Sequence, residues 1–573
     1  MEDLLSRGPK APKDPTKKRP ALYVMLDDAI EGRVTPDGKY MEICFLEGRV
    51  AAKLTAICPE LDREMADALQ FSEGLRKMVH SIGISVIADQ EEDRGLTAQF
   101  SLNVRQKENY NGTSYGCELS LNGEEKEIVL ADYPEDDQDT SLASFRTFFP
   151  KYMTAKMTIL FYMNDGYDVP TVTPDAPVDF DSPEYRAMID RSLLHRGNVK
   201  RLKQAMERAA AGEDVTIAYI GGSITQGAGA KPIGTMSYAY QSYTMFKERY
   251  GAGDGSNVHF VKAGVGGTPS ELGLTRYNMD LLRYGTVTPD VVIIEFAVND
   301  AGDETGGVCY ESLALKAYEG PGKPAVILLF SVFIDDYTLE DNLKRVGYHY
   351  DFPMVSLRSA VTSQFYEPEP VIKKRQYFYD LYHPTNDGHR VMADCIGRLF
   401  TAAEEAPMPE EDIVTEKEPV IGNRFRNLIA FTRKDASEMP EVLSIDEGSF
   451  TAKDTELQCV EMDDLPYASP EYPENWMHVG GQGTEPFVLN IRCKDLMIVY
   501  KDSGDHKVGK AKVFVDGREA RILDPLEVGW VHCTALIVHQ AEDSACHEVR
   551  VCPDPEDGSK DFTILGFGYT NAI

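Results

Sequence analysis

Ser223 stands in the stretch VTIAYIGGSITQGAGAK (residues 215–231), where an apolar run stops at two glycines. A serine hydroxyl is a poor nucleophile near neutral pH. It needs a general base within hydrogen-bond reach, a group that orients the base, and donors aimed at the oxyanion. The sequence supplies each type downstream. YDLYHPTNDGH carries Asp380-x-x-His383, a spacing that can put carboxylate and imidazole on one side of a loop entering a helix. VKAGVGGTPS offers the backbone N–H of Gly267, and IIEFAVND ends on Asn299 and Asp300, giving an amide for the same oxyanion. Taken singly, each feature has a plainer reading: Ser223 as a helix cap, the glycines as an ordinary turn, Asn299 and Asp300 as a turn pair, Asp380 and His383 as surface residues. His389 is a competing base, but it falls inside the following helix and reads as a helix-surface residue.

Phosphate-binding readings of the same glycines fail on spacing. A P-loop needs G-x-x-x-x-G-K-[ST], and Gly227 is followed by Ala228, with Lys231 too late and next to Pro232. Gly227, Gly229 and Gly234 do not match G-x-G-x-x-G. Nor is this the G-x-S-x-G elbow, since Thr225 occupies the second glycine position.

The positioning elements follow from the pattern around these residues. The runs VTIAYI, VHFVKA, DVVIIEFAV, PAVILLFSV and FPMVSL alternate with helical segments, which predicts parallel strands with crossover helices. Ser223, Gly267 and Asn299 then follow successive strands at the carboxyl edge, where open α/β sheets place ligands. We divide the chain into a Lys/Pro-rich mobile N-terminus (1–19), a β-rich accessory domain (20–180), a catalytic α/β domain (181–405), a linker (406–425) and a C-terminal β-sandwich (426–573). In the accessory domain, SLNGEEKEIVL and DGKYMEICFL read as hairpins, KYMEICFLEGRVAAKLTAI as extended, and residues 58–79 as a helical interruption. VFVDGREARI is a hairpin in the C-terminal domain. Asn386 and Asp387 are the candidate caps of the last catalytic-domain helix.

Four ordered blocks make the middle of the chain resemble the SGNH, or GDSL-type, hydrolase superfamily: Gly221-Gly222-Ser223-Ile224-Thr225, residues 264–267, Ala297-Val298-Asn299-Asp300, and Asp380-Leu381-Tyr382-His383 followed by Pro384. The resemblance covers roughly residues 213–402 and implies a flavodoxin-like parallel sheet. It implies a Ser223, His383, Asp380 triad and an oxyanion hole from Ser223, Gly267 and Asn299. Gly222, Lys262 and Ala297 depart from the family's usual aspartate, asparagine and glycine. The GGSIT form is similar to bacterial members that deacetylate carbohydrates, so the resemblance implies a carbohydrate O-acetylesterase working through an acyl-enzyme, with no cofactor and no metal. Arg276 and Glu295 are candidate substrate-binding residues, with a structural ion pair as the equal alternative. Tyr467, Tyr472, Trp476 and Trp530 in the last domain are candidate sugar-stacking aromatics. The alternatives are a lipid or thioester hydrolase of the same superfamily, a metal-dependent hydrolase using Asp380, His383, Asp387 and His389, and a non-catalytic glycan-binding scaffold.

Charge narrows the partners. With 59 basic and 93 acidic residues in 573, the net charge is −34. Nucleic acid and anionic membrane are polyanions and are disfavoured; an acetylated oligosaccharide is not. The ten cysteines show no C-x-x-C and no zinc spacing with histidine, and read as mostly buried thiols. The N-terminal stretch lacks an apolar signal region and no run is long enough to span a bilayer, so the expected location is the cytoplasm.

Overall fold

The computed structural model describes residues 19–35, 38–48, 50–106, 112–459, 471–503 and 507–571; the predicted mobile N-terminus lies almost entirely outside them. The five apolar runs of the middle region are strands: β1 Val215–Gly221, β2 Val258–Gly264, β3 Val291–Glu295, β4 Ala325–Phe330 and β5 Met354–Ser356. All five are parallel, in the order β2-β1-β3-β4-β5, and Leu193–His195 adds an antiparallel edge on β5. This is the flavodoxin-like order, in which the connections reverse direction between β1 and β3 and leave a crevice at the carboxyl ends.

Side chains alternate between two buried layers with the period of a strand. Ile217, Tyr219, Ile293 and Ile327 face one layer. Ala218, Ile220, Ile294 and Leu328 face the other. On the first side, helix α1 (Tyr238–Tyr250) packs against helix α2 (Asn386–Glu405), with Phe246 meeting Phe400 edge-on at 5.4 Å. The cap of α2 is Thr385, whose hydroxyl accepts the Gly388 N–H at 3.1 Å, and not Asn386 or Asp387. The Asn386 amide is engaged elsewhere, donating to the Lys231 carbonyl at 2.8 Å and accepting its N–H at 2.7 Å.

The N-terminal region is two antiparallel sheets, of four and five strands, around one core that includes Ile82, Ile84 and Phe161 from one sheet and Phe100, Leu102 and Phe145 from the other. Two local expectations fail here. Val50–Ile57 is a helix: its five strong helix formers, Ala51, Ala52, Lys53, Leu54 and Ala56, outweigh the β-branched Val50, Thr55 and Ile57. Ser114–Ser120 and Lys126–Val129 belong to different sheets, so Asn122 and Gly123 turn the chain between layers and close no hairpin.

The C-terminal region is a single hydrogen-bonded sheet of eight strands. VFVDGREARI forms the expected hairpin, with Asp516 and Gly517 at φ 50° and 75°. The long strand Phe487–Asp502 shifts register between Cys493 and Asp495. Phe567 pairs with Ile498, eleven residues along the strand from Phe487, yet the Phe487 and Phe567 rings stack at 5.8 Å. A straight strand would separate them by roughly 35 Å. The strand therefore bends, and the sandwich-like core comes from one sheet folded onto itself.

Candidate active site

At the end of β1 the chain turns through Gly222 into a single helical turn, Ser223–Gln226. A Cβ on Gly222 would stand 2.1 Å from Asn299 Oδ1, so only glycine lets the Asn299 amide lie against the residue before the serine. Ser223 Oγ is 2.9 Å from His383 Nε2, across 160 residues of sequence. His383 Nδ1 donates to Asp380 Oδ2 at 2.8 Å, while Asp380 Oδ1 accepts the N–H groups of Tyr382 and His383, each at 2.8 Å. Burial alone would raise the Asp380 carboxyl. The His383 charge, its hydrogen bond and the two backbone N–H groups outweigh burial and hold it below the usual carboxylate range. An ionised Asp380 fixes the proton on Nδ1 and turns the Nε2 lone pair toward Ser223, the arrangement that makes a serine nucleophilic.

Gly267 follows β2 in a left-handed conformation, φ 72°. Its surroundings come from the C-terminal region. A Cβ there would meet Trp530 Cη2 at 2.4 Å, and His532 Nε2 lies 3.0 Å from the Gly267 carbonyl. Burial lowers His532 to about 4, so the ring is neutral and donates this bond. The 265–268 turn is thus held by a residue of the C-terminal sheet.

Residues 219–391 match the GDSL-like Lipase/Acylhydrolase family. The chain carries a GDSL-type ester hydrolase domain. Among solved structures it is similar to a two-domain esterase (CEX) active on acetylated mannans, 26% identical, covering 67% of this chain and 99% of that one at a TM-score of 0.57. A second structure, of such an esterase co-crystallized with mannopentaose, matches at 26% identity, 67% and 98% coverage and a TM-score of 0.56. Among curated proteins none matches.

Within the GDSL-type domain, Arg276 and Glu295 lie beneath the site, each with 0% of its surface exposed. Arg276 donates to the carbonyls of Ala263 and Gly221 at 2.7 and 2.9 Å and pairs with Asp280 at 3.0 Å. It fastens the carboxyl ends of β2 and β1 and has no surface left for a substrate. Glu295 accepts the Thr225 hydroxyl at 3.1 Å. Burial pushes it up to about 7, opposed only in part by the Thr225 hydroxyl and the His383 charge. His389 is fully buried, not on the helix surface: Nδ1 accepts the Tyr238 N–H at 3.2 Å and Nε2 donates to the Ala228 carbonyl at 3.0 Å. Both nitrogens are occupied, burial lowers the ring to about 3, and no lone pair remains for a metal.

The GDSL-type domain adds an aromatic wall that the sequence did not signal. Tyr382 lies 6.0 Å from His383 between ring centroids and meets Phe333 at 5.0 Å, which in turn stacks on Tyr337 at 5.9 Å. These rings are half-buried, as is Trp530 beside Gly267. Of the other aromatics singled out, Tyr472 and Trp476 are core residues at 2% and 1% exposure, and Tyr467 lies outside the described residues. Among the described residues no helix is long and apolar enough to cross a membrane.

Proposed function

We propose that the protein is a serine carbohydrate O-acetylesterase acting on acetylated oligosaccharides of the mannan class. The observation that carries this reading is the continuous hydrogen-bonded line from Ser223 through His383 to Asp380. Ser223 Oγ attacks the acetyl carbonyl as its proton passes to His383 Nε2. The carbonyl oxygen becomes an oxyanion that the Ser223 and Gly267 N–H groups and the Asn299 amide receive. Collapse breaks the ester bond, and His383 returns the proton to the departing sugar oxygen. Water then attacks the acetyl-serine with His383 again as base, releasing acetate and restoring the hydroxyl.

Two features support a sugar. Flat apolar rings stand at the candidate site residues, Trp530 beside Gly267 and Tyr382 with Phe333 beside His383, suited to the apolar faces of pyranose rings. The chain also resembles, over nearly the full length of that protein, an esterase active on acetylated mannans. The test is mass spectrometry of acetylated manno-oligosaccharides before and after incubation, with Ser223→Ala alongside. Loss of 42-Da acetyl increments that depends on Ser223 is expected (the mass of ketene, from elementary stoichiometry, about 42). Intact oligosaccharides, with rapid cleavage of long-chain nitrophenyl esters, would instead favour a lipid or thioester hydrolase.

A further inference from the structure

Lys231 closes the glycine-rich stretch that begins at Ser223, and its ammonium is committed to a carboxylate. Its ammonium is 5% exposed and pairs with both carboxylate oxygens of Glu42, at 2.8 Å each. Glu42 belongs to the N-terminal accessory domain, on strand Tyr40–Phe45, and is itself 3% exposed. The same carboxylate accepts the Tyr379 hydroxyl at 2.6 Å and the Glu31 N–H at 2.9 Å. Tyr379 immediately precedes Asp380. Its ring is buried in the accessory-domain core, and its carbonyl accepts Lys53 Nζ from helix Val50–Ile57. Glu31, again from the accessory domain, accepts the N–H of Ile233 at 3.1 Å on the nucleophile side.

One buried carboxylate therefore joins the loop that follows Ser223 to the loop that carries Asp380 and His383. We infer that Glu42 is a positioning residue, and that the accessory domain sets the distance between nucleophile and base by holding both loops. This rests on the triad reading given above. An ion pair this deeply buried is weak as a source of stability, because desolvation offsets most of the Coulomb gain. What it supplies is fixed geometry. Glu42 takes hydrogen bonds from Lys231, Tyr379 and Glu31, three separate segments, so neither loop can shift without leaving a buried charge short of a partner. A displacement of about 1 Å between reacting groups is enough to cost ~10²-fold in rate.

The experiment is steady-state hydrolysis of p-nitrophenyl acetate by the full chain. Tyr379→Phe removes one hydroxyl and leaves the ring in place. It is expected to lower kcat about tenfold with KM within about twofold, and to narrow the pH range over which kcat/KM is maximal. Glu42→Gln is expected to lose about 100-fold in kcat. Should that variant fail to fold, Glu42→Gln combined with Lys231→Gln removes both buried charges together, and the pair is expected to fold while kcat stays low. Wild-type kcat and an unchanged pH profile in folded Tyr379→Phe and in the double variant would overturn the inference. Ser223→Ala separates the claims: activity surviving it would overturn the triad, while activity lost only there would leave the triad standing and overturn the positioning role of Glu42.

Discussion

The Asn299 side chain lies against Gly222, the residue before Ser223, and in the proposed reaction its amide meets the charge that develops on the substrate oxygen. Replacing it with alanine should lower kcat by ~10²–10³, or about 3–4 kcal/mol of transition-state stabilisation, with a smaller change in KM. Ser223→Ala should cost more, and an Asn299→Ala variant with native kcat would remove the amide from the oxyanion hole. Glu295 makes a different statement, about stability. Its carboxyl lies near 7 in the folded protein against an ordinary 4.5. The folded state keeps a proton that the unfolded chain releases between those values, so stability falls as pH rises through that window. The full penalty, on the order of 3 kcal/mol, is reached only above pH 7. Glu295→Gln cannot ionise. Urea unfolding should find it more stable than the native chain at pH 8, with the difference closing below about pH 4.5; a difference that does not depend on pH would show that Glu295 is not the group responsible.

The turn after β2 is the element where the C-terminal sheet meets the candidate site. Gly267→Ala places a methyl group 2.4 Å from Trp530 in a left-handed backbone. We expect a loss of both stability and activity, the backbone part being about 1–2 kcal/mol. Adding Trp530→Ala should recover stability, because it removes the clash and leaves only the backbone strain, while activity on oligosaccharide stays low. Thermal melts of the two single variants and the double variant would measure that coupling, and strictly additive effects would mean that the ring and the turn do not touch. Much of this element's setting was legible in the sequence. Five buried apolar runs separated by helical patterns can make little other than a parallel sheet, and three of the candidate residues, Ser223, Gly267 and Asn299, fall where those runs end. What pattern does not report is which distant segment covers a face. His389 looked exposed because its helix register is local information, whereas α1 and the Ala228 carbonyl that bury it come from about 150 residues upstream. For the same reason Asn122 and Gly123, a good hairpin turn by type, join two sheets, since partner choice depends on the core between them.

At the scale of the whole molecule, the loops of the candidate site are held from both flanking regions: Glu42 and Lys53 from the N-terminal region reach Tyr379, and Trp530 and His532 from the C-terminal sheet reach Gly267. None of these contacts was legible from spacing, because each joins residues on different domains. The charge balance was legible, and it acts over the same scale. With 93 acidic and 59 basic residues, the chain as a whole carries a net negative charge whose field salt screens over about 8 Å at physiological ionic strength. A neutral acetylated manno-oligosaccharide carries no charge for that field to repel, so its kcat/KM should stay flat as sodium chloride rises from low to moderate concentration. An acetylated oligosaccharide built from uronic acids is repelled on approach, and its kcat/KM should start low and climb with salt as the field is screened. Running both substrates through one salt series under subsaturating conditions isolates the encounter from the chemistry, because the acyl transfer at Ser223 is common to both. A steep salt dependence for the neutral sugar, or none for the acidic one, would mean that the field at the mouth of the site is set by local residues and not by the charge of the chain as a whole.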